Sequence, residues 1–176
     1  ISNCYENMGD FEAALSNIDQ AIKLDSTDYT YIQEKADLLY EASRSKEAIA
    51  LYDQFINNDP EYFGGYYRRG FMKDNTNDTE GAIEDYSTVI MLKPDYAYAY
   101  LGRGDMYEKL GKHELAEKDY YKVIELDTVP EDNSCAQYAF FALGELDKAK
   151  SYMNRIIEKN PKDGGNYYDA ACLYCR

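Results

Sequence analysis

Residues 97–130 read AYAYLGRGDMYEKLGKHELAEKDYYKVIELDTVP, and the rest of the chain echoes this stretch in register. Ala14, Ala48, Ala82 and Ala116 stand 34 residues apart, and Ala149 follows after 33. The same interval carries Ile18, Tyr52, Tyr86 and Tyr120, then Met153; it also carries Ala21, Phe55, Val89 and Val123, then Ile156. Self-similarity at a fixed period marks a stacked repeat architecture. Pro60 and Pro94 are again 34 apart, with Pro161 in the corresponding later place. A proline there stops a helix, because it forces the preceding residue out of the α region and its ring cannot continue the hydrogen-bond ladder.

Within each period the apolar spacing is helical. Ala48, Ile49, Tyr52, Phe55 and Ile56 fall on one face of a helix, and upstream Ile32, Ala36 and Leu39 make a similar face. Between such pairs come short turns, Leu110-Gly111-Lys112 and Leu143-Gly144-Glu145, where glycine can take the left-handed conformation that closes a helix. Each period is thus a helix hairpin that cannot cover its own apolar face. Stacking on neighbours covers it.

This pattern resembles the tetratricopeptide repeat (TPR) family, whose unit has a small residue at its eighth position, Gly at the fifteenth, Ala at the twentieth, an aromatic at the twenty-fourth and Pro at the thirty-second. Residues 97–130 place Gly104, Tyr107, Gly111, Ala116 and Tyr120 on the family's positions; residues 63–96 place Tyr66, Gly70, Ala82, Tyr86 and Pro94; residues 29–62 place Ala36, Ala48, Tyr52 and Pro60. The resemblance implies an all-α fold, a right-handed α-α superhelix (TPR solenoid) of stacked antiparallel helix hairpins. It divides the chain into a partial repeat at 1–28, repeats at 29–62, 63–96, 97–130 and 131–163, and a partial repeat at 164–176. Ser43 and Asn77 replace the turn glycine, and Ser26 and Thr128 the terminal proline. The fifth unit is one residue short, and Gln137 falls where a small residue is wanted, on a first helix expected over about residues 131–143. Small side chains at Gly104 and Ala116 let the two helices of a hairpin approach closely.

Charge and composition narrow the function. The chain has 176 residues, a net charge of −14, 20 tyrosines, no tryptophan and a single histidine. An acidic chain lacks the basic field that phosphate backbones and anionic membrane surfaces attract, so nucleic acid is excluded as an expected partner. No apolar run reaches membrane-spanning length, and from this sequence a signal peptide is not expected. The absence of an initial methionine and the cut repeats at both ends point to a segment of a larger or processed protein. Localisation is therefore open: intracellular by default, with export of a processed parent also allowed.

In the TPR family the inner wall of the stack is built from the first helix of each unit. By that resemblance, positions facing a groove hold Gln33, Glu34, Asp37, Tyr40 and Glu41; then Tyr67, Arg68, Phe71, Asp74 and Asn75; then Tyr98, Leu101, Gly102, Asp105, Glu108 and Lys109. Tyr67 and Phe71 are one turn apart, and with Tyr98 and Leu101 they form a candidate apolar anchor for a peptide, flanked by Asp37, Arg68 and Asp105. The acids of this strip only match the chain's average. The alternative for the same surface is packing against a missing segment or neighbouring subunit. The two-carboxylate clamp of chaperone-binding members is absent, since its paired places hold Gln33 and Asp37, Tyr67 and Phe71, or Leu101 and Asp105. Arg68 could grip a carboxylate or pair with a nearby acid.

Other motifs read as structural. Cys172-x-x-Cys175 lacks further zinc ligands and the helix N-terminus a redox pair expects. His113 opens a second helix at the surface. Asn77-Asp78-Thr79 is a formal glycosylation sequon, but Asp78 or Thr79 suits the cap of a helix beginning near Glu80. Asp25 with Asp28, and Glu84 with Asp85, read as solvated faces. No nucleophile, phosphate loop, cofactor site or metal cluster stands out. The reading is a noncatalytic protein-interaction scaffold binding a partner's peptide in its groove. Its alternative is a structural or regulatory repeat segment that self-associates or holds a neighbouring domain.

Overall fold

The computed structural model describes residues 2–24, 29–127, 135–162 and 164–165. Among them the structure is all-α: α1 (Ser2–Leu24), α2 (Tyr29–Glu41), α3 (Ser45–Asn58), α4 (Phe63–Asn75), α5 (Thr79–Leu92), α6 (Ala97–Lys109), α7 (His113–Leu126), α8 (Ala136–Ala142) and α9 (Leu146–Lys159). The chain divides into two compact units, Ile1–Asp85 and Tyr86–Arg176.

In the first unit the apolar faces read from the sequence close on one another. Leu15 from α1, Ala36 and Leu39 from α2, Ala48, Tyr52, Phe55 and Ile56 from α3 and Met72 from α4 make one buried cluster. In the second unit Tyr100, Ala116, Tyr120, Val123, Cys135 and Ala139 form a cluster, and Ala136, Tyr152, Met153 and Ile156 form another. Each helix of a hairpin therefore supplies half a core, and the next hairpin supplies the other half. Gly104 has the packing role expected of it: a Cβ there would lie 2.8 Å from the Tyr120 ring. Ala116 is fully buried beneath the same ring's cluster.

The hairpin turns share one geometry. Ser43, Asn77, Gly111 and Gly144 all have positive φ, at 61°, 62°, 68° and 75°. The residue after each one donates its amide back across the turn, Arg44 to Leu39, Asp78 to Lys73, Lys112 to Tyr107 and Glu145 to Phe140, as in a Schellman closure. Serine in this conformation carries a steric cost that glycine avoids, offset in part by glycine's greater freedom when unfolded. Ser43→Gly is expected to raise stability by about 0.5–1 kcal/mol, measured by urea unfolding. Asn77→Gly is expected to gain less, since asparagine tolerates the left-handed region.

Two elements differ from the sequence reading. The helix α1 runs unbroken from Ser2 to Leu24 through Gly9, where the other repeats turn. In the fifth unit α8 spans Ala136–Ala142, residues 131–134 of the expected helix lie outside the described residues, and Gln137 is buried at the place where a small side chain was expected. The positive φ of Gly144 fixes the turn after α8. Asp78 caps α5 as anticipated, accepting the Gly81 amide at 3.1 Å, and the helix begins at Thr79.

Candidate functional site

The first helices present the candidate residues. In the first unit, α2 and α4 bring Asp37, Arg68 and Phe71 to one surface. Arg68 Nη1 donates to Asp37 at 3.2 Å, with both side chains 44% exposed, so the arginine has chosen a neighbouring acid. Phe71 is 46% exposed and lies against Tyr40, ring centroids 6.0 Å apart and tilted by 56°. Tyr67 is half-buried one turn before Phe71 on α4. Tyr40 also leans on the core cluster, so its ring is a fixed wall beside a more exposed Phe71.

Tyr98, Leu101 and Asp105 belong to the second unit. Tyr98 and Leu101 are half-buried against the cluster around Tyr100 and Ala116, and Tyr98 also meets Tyr96 with centroids 6.0 Å apart. Asp105 is exposed and accepts the Tyr120 hydroxyl at 2.8 Å. Burial and the Asp105 charge push the Tyr120 hydroxyl pKa above its ordinary value. Gly102, expected on the groove wall, is half-buried and lies against Tyr86: a Cβ there would be 2.7 Å from the ring.

Asp37 and Tyr52 stand 68 residues before Asp105 and Tyr120, yet their hydrogen bonding differs. The Tyr52 hydroxyl is buried without a hydrogen-bond partner, while Asp37 is held by Arg68. Burial first, and the nearby Asp37 charge second, raise the Tyr52 hydroxyl pKa.

A polar ladder behind these faces went unread in the sequence. In the first unit Lys35 pairs with Asp19 at 2.6 Å, and Arg69 pairs with Asp53 at 2.6 Å. Arg69 also holds Asp85 through Nη2 at 2.5 Å and Nε at 2.9 Å, and Lys73 reaches the same carboxylate at 2.9 Å. In the second unit Arg103 grips Asp119 with two 2.8 Å bonds and donates to Ser87 at 3.1 Å. Burial pulls the Arg69 pKa down, and the hydrogen bonds and charges of Asp85 and Asp53 outweigh it, leaving it above its ordinary value. Asp85, read as part of a solvated face, is instead 2% exposed. The missed signal was there: Lys35, Arg69 and Arg103 are 34 apart, as are Asp19, Asp53 and Ser87, and Asp85 and Asp119.

The reactive candidates fare simply. His113 is a surface residue whose Nδ1 lies 2.8 Å from Glu108. Cys135 is buried, and burial with the Asp127 charge pushes its thiol pKa up to about 12, away from reactivity. Cys172 and Cys175, and Asp25 with Asp28, lie outside the described residues. Among the described residues, no cluster of three or more His, Cys, Asp or Glu side chains is placed to hold a metal ion, and no helix is long and apolar enough to cross a membrane.

Helix hairpins closed by one recurrent left-handed turn, sharing cores with their neighbours, define an α-helical repeat protein. Tetratricopeptide repeat models match residues 5–63, 97–127 and 138–163, and a TPR repeat model matches 76–111. The chain belongs to the tetratricopeptide repeat family.

Solved structures share the fold. A thermophilic TPR protein of Thermus thermophilus is 22% identical, with 98% of this chain and 94% of that one covered and a TM-score of 0.72. A TPR protein from Parabacteroides merdae is 22% identical over 99% of this chain and 70% of its own, with a TM-score of 0.63. The protein MamA is 23% identical over 89% of this chain and 92% of its own, with a TM-score of 0.61. No curated protein sequence matches the chain.

Proposed function

We propose that the chain is a noncatalytic scaffold that binds a peptide segment of a partner protein on the exposed faces of its first helices. Repeat architecture makes protein interaction the family's usual use, and the residues of the exposed face supply the local case. The carrying observation is Phe71, a large aromatic left 46% exposed beside Tyr40 and the Arg68–Asp37 pair. A rigid aromatic at the centre of a polar surround is the kind of anchor that dominates interface energetics. Asp37, Tyr67, Arg68 and Phe71 form this face in the first unit; Tyr98, Leu101 and Asp105 are the corresponding residues proposed in the second. Tyr98 and Leu101 lean on their own core, so the anchor role falls chiefly to Phe71.

A pulldown from native extract tests the proposal. The double substitution Tyr67→Ala with Phe71→Ala is expected to lose the partners that the wild type retains, at unchanged helicity by circular dichroism. Retention of every partner would count against it.

A second reading has its own support in the second unit. On its second helices Met91 is 74% exposed, Tyr121 51%, Leu146 45% and Leu115 43%. These residues support self-association or docking of a neighbouring domain. Light scattering decides the first of these: a mass that doubles with concentration favours self-association, and a constant monomer mass removes it.

A further inference from the structure

The exposed face of α2 and α4 carries more uncompensated acid than base, and the inference drawn from it rests on the binding role proposed above. Glu34, Asp37 and Glu41 fall at intervals of three and four residues, so they line one stripe of α2. Asp37 is neutralised by Arg68 at 3.2 Å. Glu34 and Glu41 are exposed and, among the described residues, have no cationic partner. The nearby cations are engaged elsewhere: Lys35 holds Asp19, Lys73 holds Asp85, and Arg69 holds Asp53 and Asp85. The face thus combines an aromatic pair, one compensated carboxylate and two uncompensated ones.

From this we infer that the α2/α4 face takes a cationic peptide segment, with an apolar side chain seated on Tyr40 and Phe71 and lysine or arginine side chains reaching Glu34 and Glu41. Three physical terms point the same way. Two free carboxylates about two helical turns apart, roughly 10 Å, suit a pair of cations on one segment. Phe71 is 46% exposed, and the face of such a ring attracts a cation as well as an alkyl chain. The net charge of −14 speeds the approach of basic segments and repels acidic ones. An acidic segment would meet Glu34 and Glu41 with Arg68 already engaged by Asp37 and the neighbouring Lys35, Arg69 and Lys73 engaged by other acids.

Fluorescence anisotropy of the full chain tests this with a short labelled peptide of alternating lysine, leucine and phenylalanine. Parallel peptides replace lysine by glutamine or by glutamate. The lysine peptide is expected to bind most tightly. Phe71→Ala should weaken it about ten-fold, and Glu34→Gln with Glu41→Gln about five-fold. Glu114→Gln with Glu117→Gln removes the same charge from exposed sites on α7 and should change affinity less than two-fold. Equal losses from the α2 and α7 pairs would overturn the inference, because attraction would then be a property of the whole acidic surface. Glutamine or glutamate peptides that bind as tightly and still depend on Phe71 would overturn the charge preference while leaving the peptide-binding face standing. Indifference of all three peptides to Phe71→Ala would remove both.

Discussion

Asp85→Ala is expected to cost about 3–5 kcal/mol of stability, the range for breaking a buried ion pair from one side. The carboxylate is 3% exposed and takes Arg69 through both oxygens and Lys73 at 2.9 Å. Its removal leaves two cations, each with only 16% of the side chain exposed, facing one another inside the hairpin. Arg69 keeps Asp53, and Lys73 loses its carboxylate. Asp53→Ala is the control. Asp53 is 51% exposed, so the same arginine gives up an outer partner that water replaces, and the expected loss is about 0–1 kcal/mol. Urea unfolding of the two variants should therefore separate them by at least about 2 kcal/mol. Equal losses would mean that Asp85 is solvated in the native protein.

That contrast also shows what the sequence makes legible. The hairpins could be read because apolar burial writes itself as a 3.6-residue period and the turn requires a residue that tolerates positive φ; Ser43 and Asn77 differ from Gly111 and Gly144 in type and share their conformation. The ladder of Arg69, Asp85, Arg103 and Asp119 recurs at the same interval, yet charged residues ordinarily belong to solvent, and nothing local distinguishes Asp85 from its neighbour Glu84. Only the fold sets residues 16 apart side by side. The candidate face was partly legible for the same reason. Positions on the first helix predicted which side chains are exposed, so Asp37, Arg68 and Phe71 could be named. Packing decided their partners: Phe71 rests on Tyr40, while Tyr98 and Leu101 lean inward on a core that includes Cys135 and Ala139. Gln137 is buried on a helix that is otherwise apolar, AQYAFFA, and a glutamine's side-chain type gives no sign of such burial.

Asp127→Ala is expected to cost about 3 kcal/mol and to loosen α8 selectively. This helix is seven residues long, and its N-cap residue, Cys135, gives no side-chain capping bond. Asp127, from the end of α7, supplies the cap at a distance in sequence. Its Oδ2 accepts the amides of Cys135 at 2.5 Å and Ala136 at 2.8 Å, and its Oδ1 lies 2.9 Å from the Tyr152 hydroxyl on α9. Both capped residues are buried, at 1% and 0% exposed, so water cannot take over the orphaned amides. Each buried donor left unpaired costs about 1–3 kcal/mol, and a negative charge at a helix N-terminus adds a smaller favourable interaction with the helix dipole. Tyr152 contributes less than the amides, because its hydroxyl also lies 2.8 Å from the Asp127 carbonyl and keeps an acceptor after the substitution. Asp127→Asn retains one acceptor oxygen and should lose about half as much. Hydrogen exchange locates the effect: amides of Cys135 and Ala136 should lose protection in Asp127→Ala while those of α6 and the first half of α7 keep theirs. Unchanged protection at Cys135 and Ala136 would mean that α8 is held by packing of Ala136 and Ala139 alone, with the carboxylate contributing no cap.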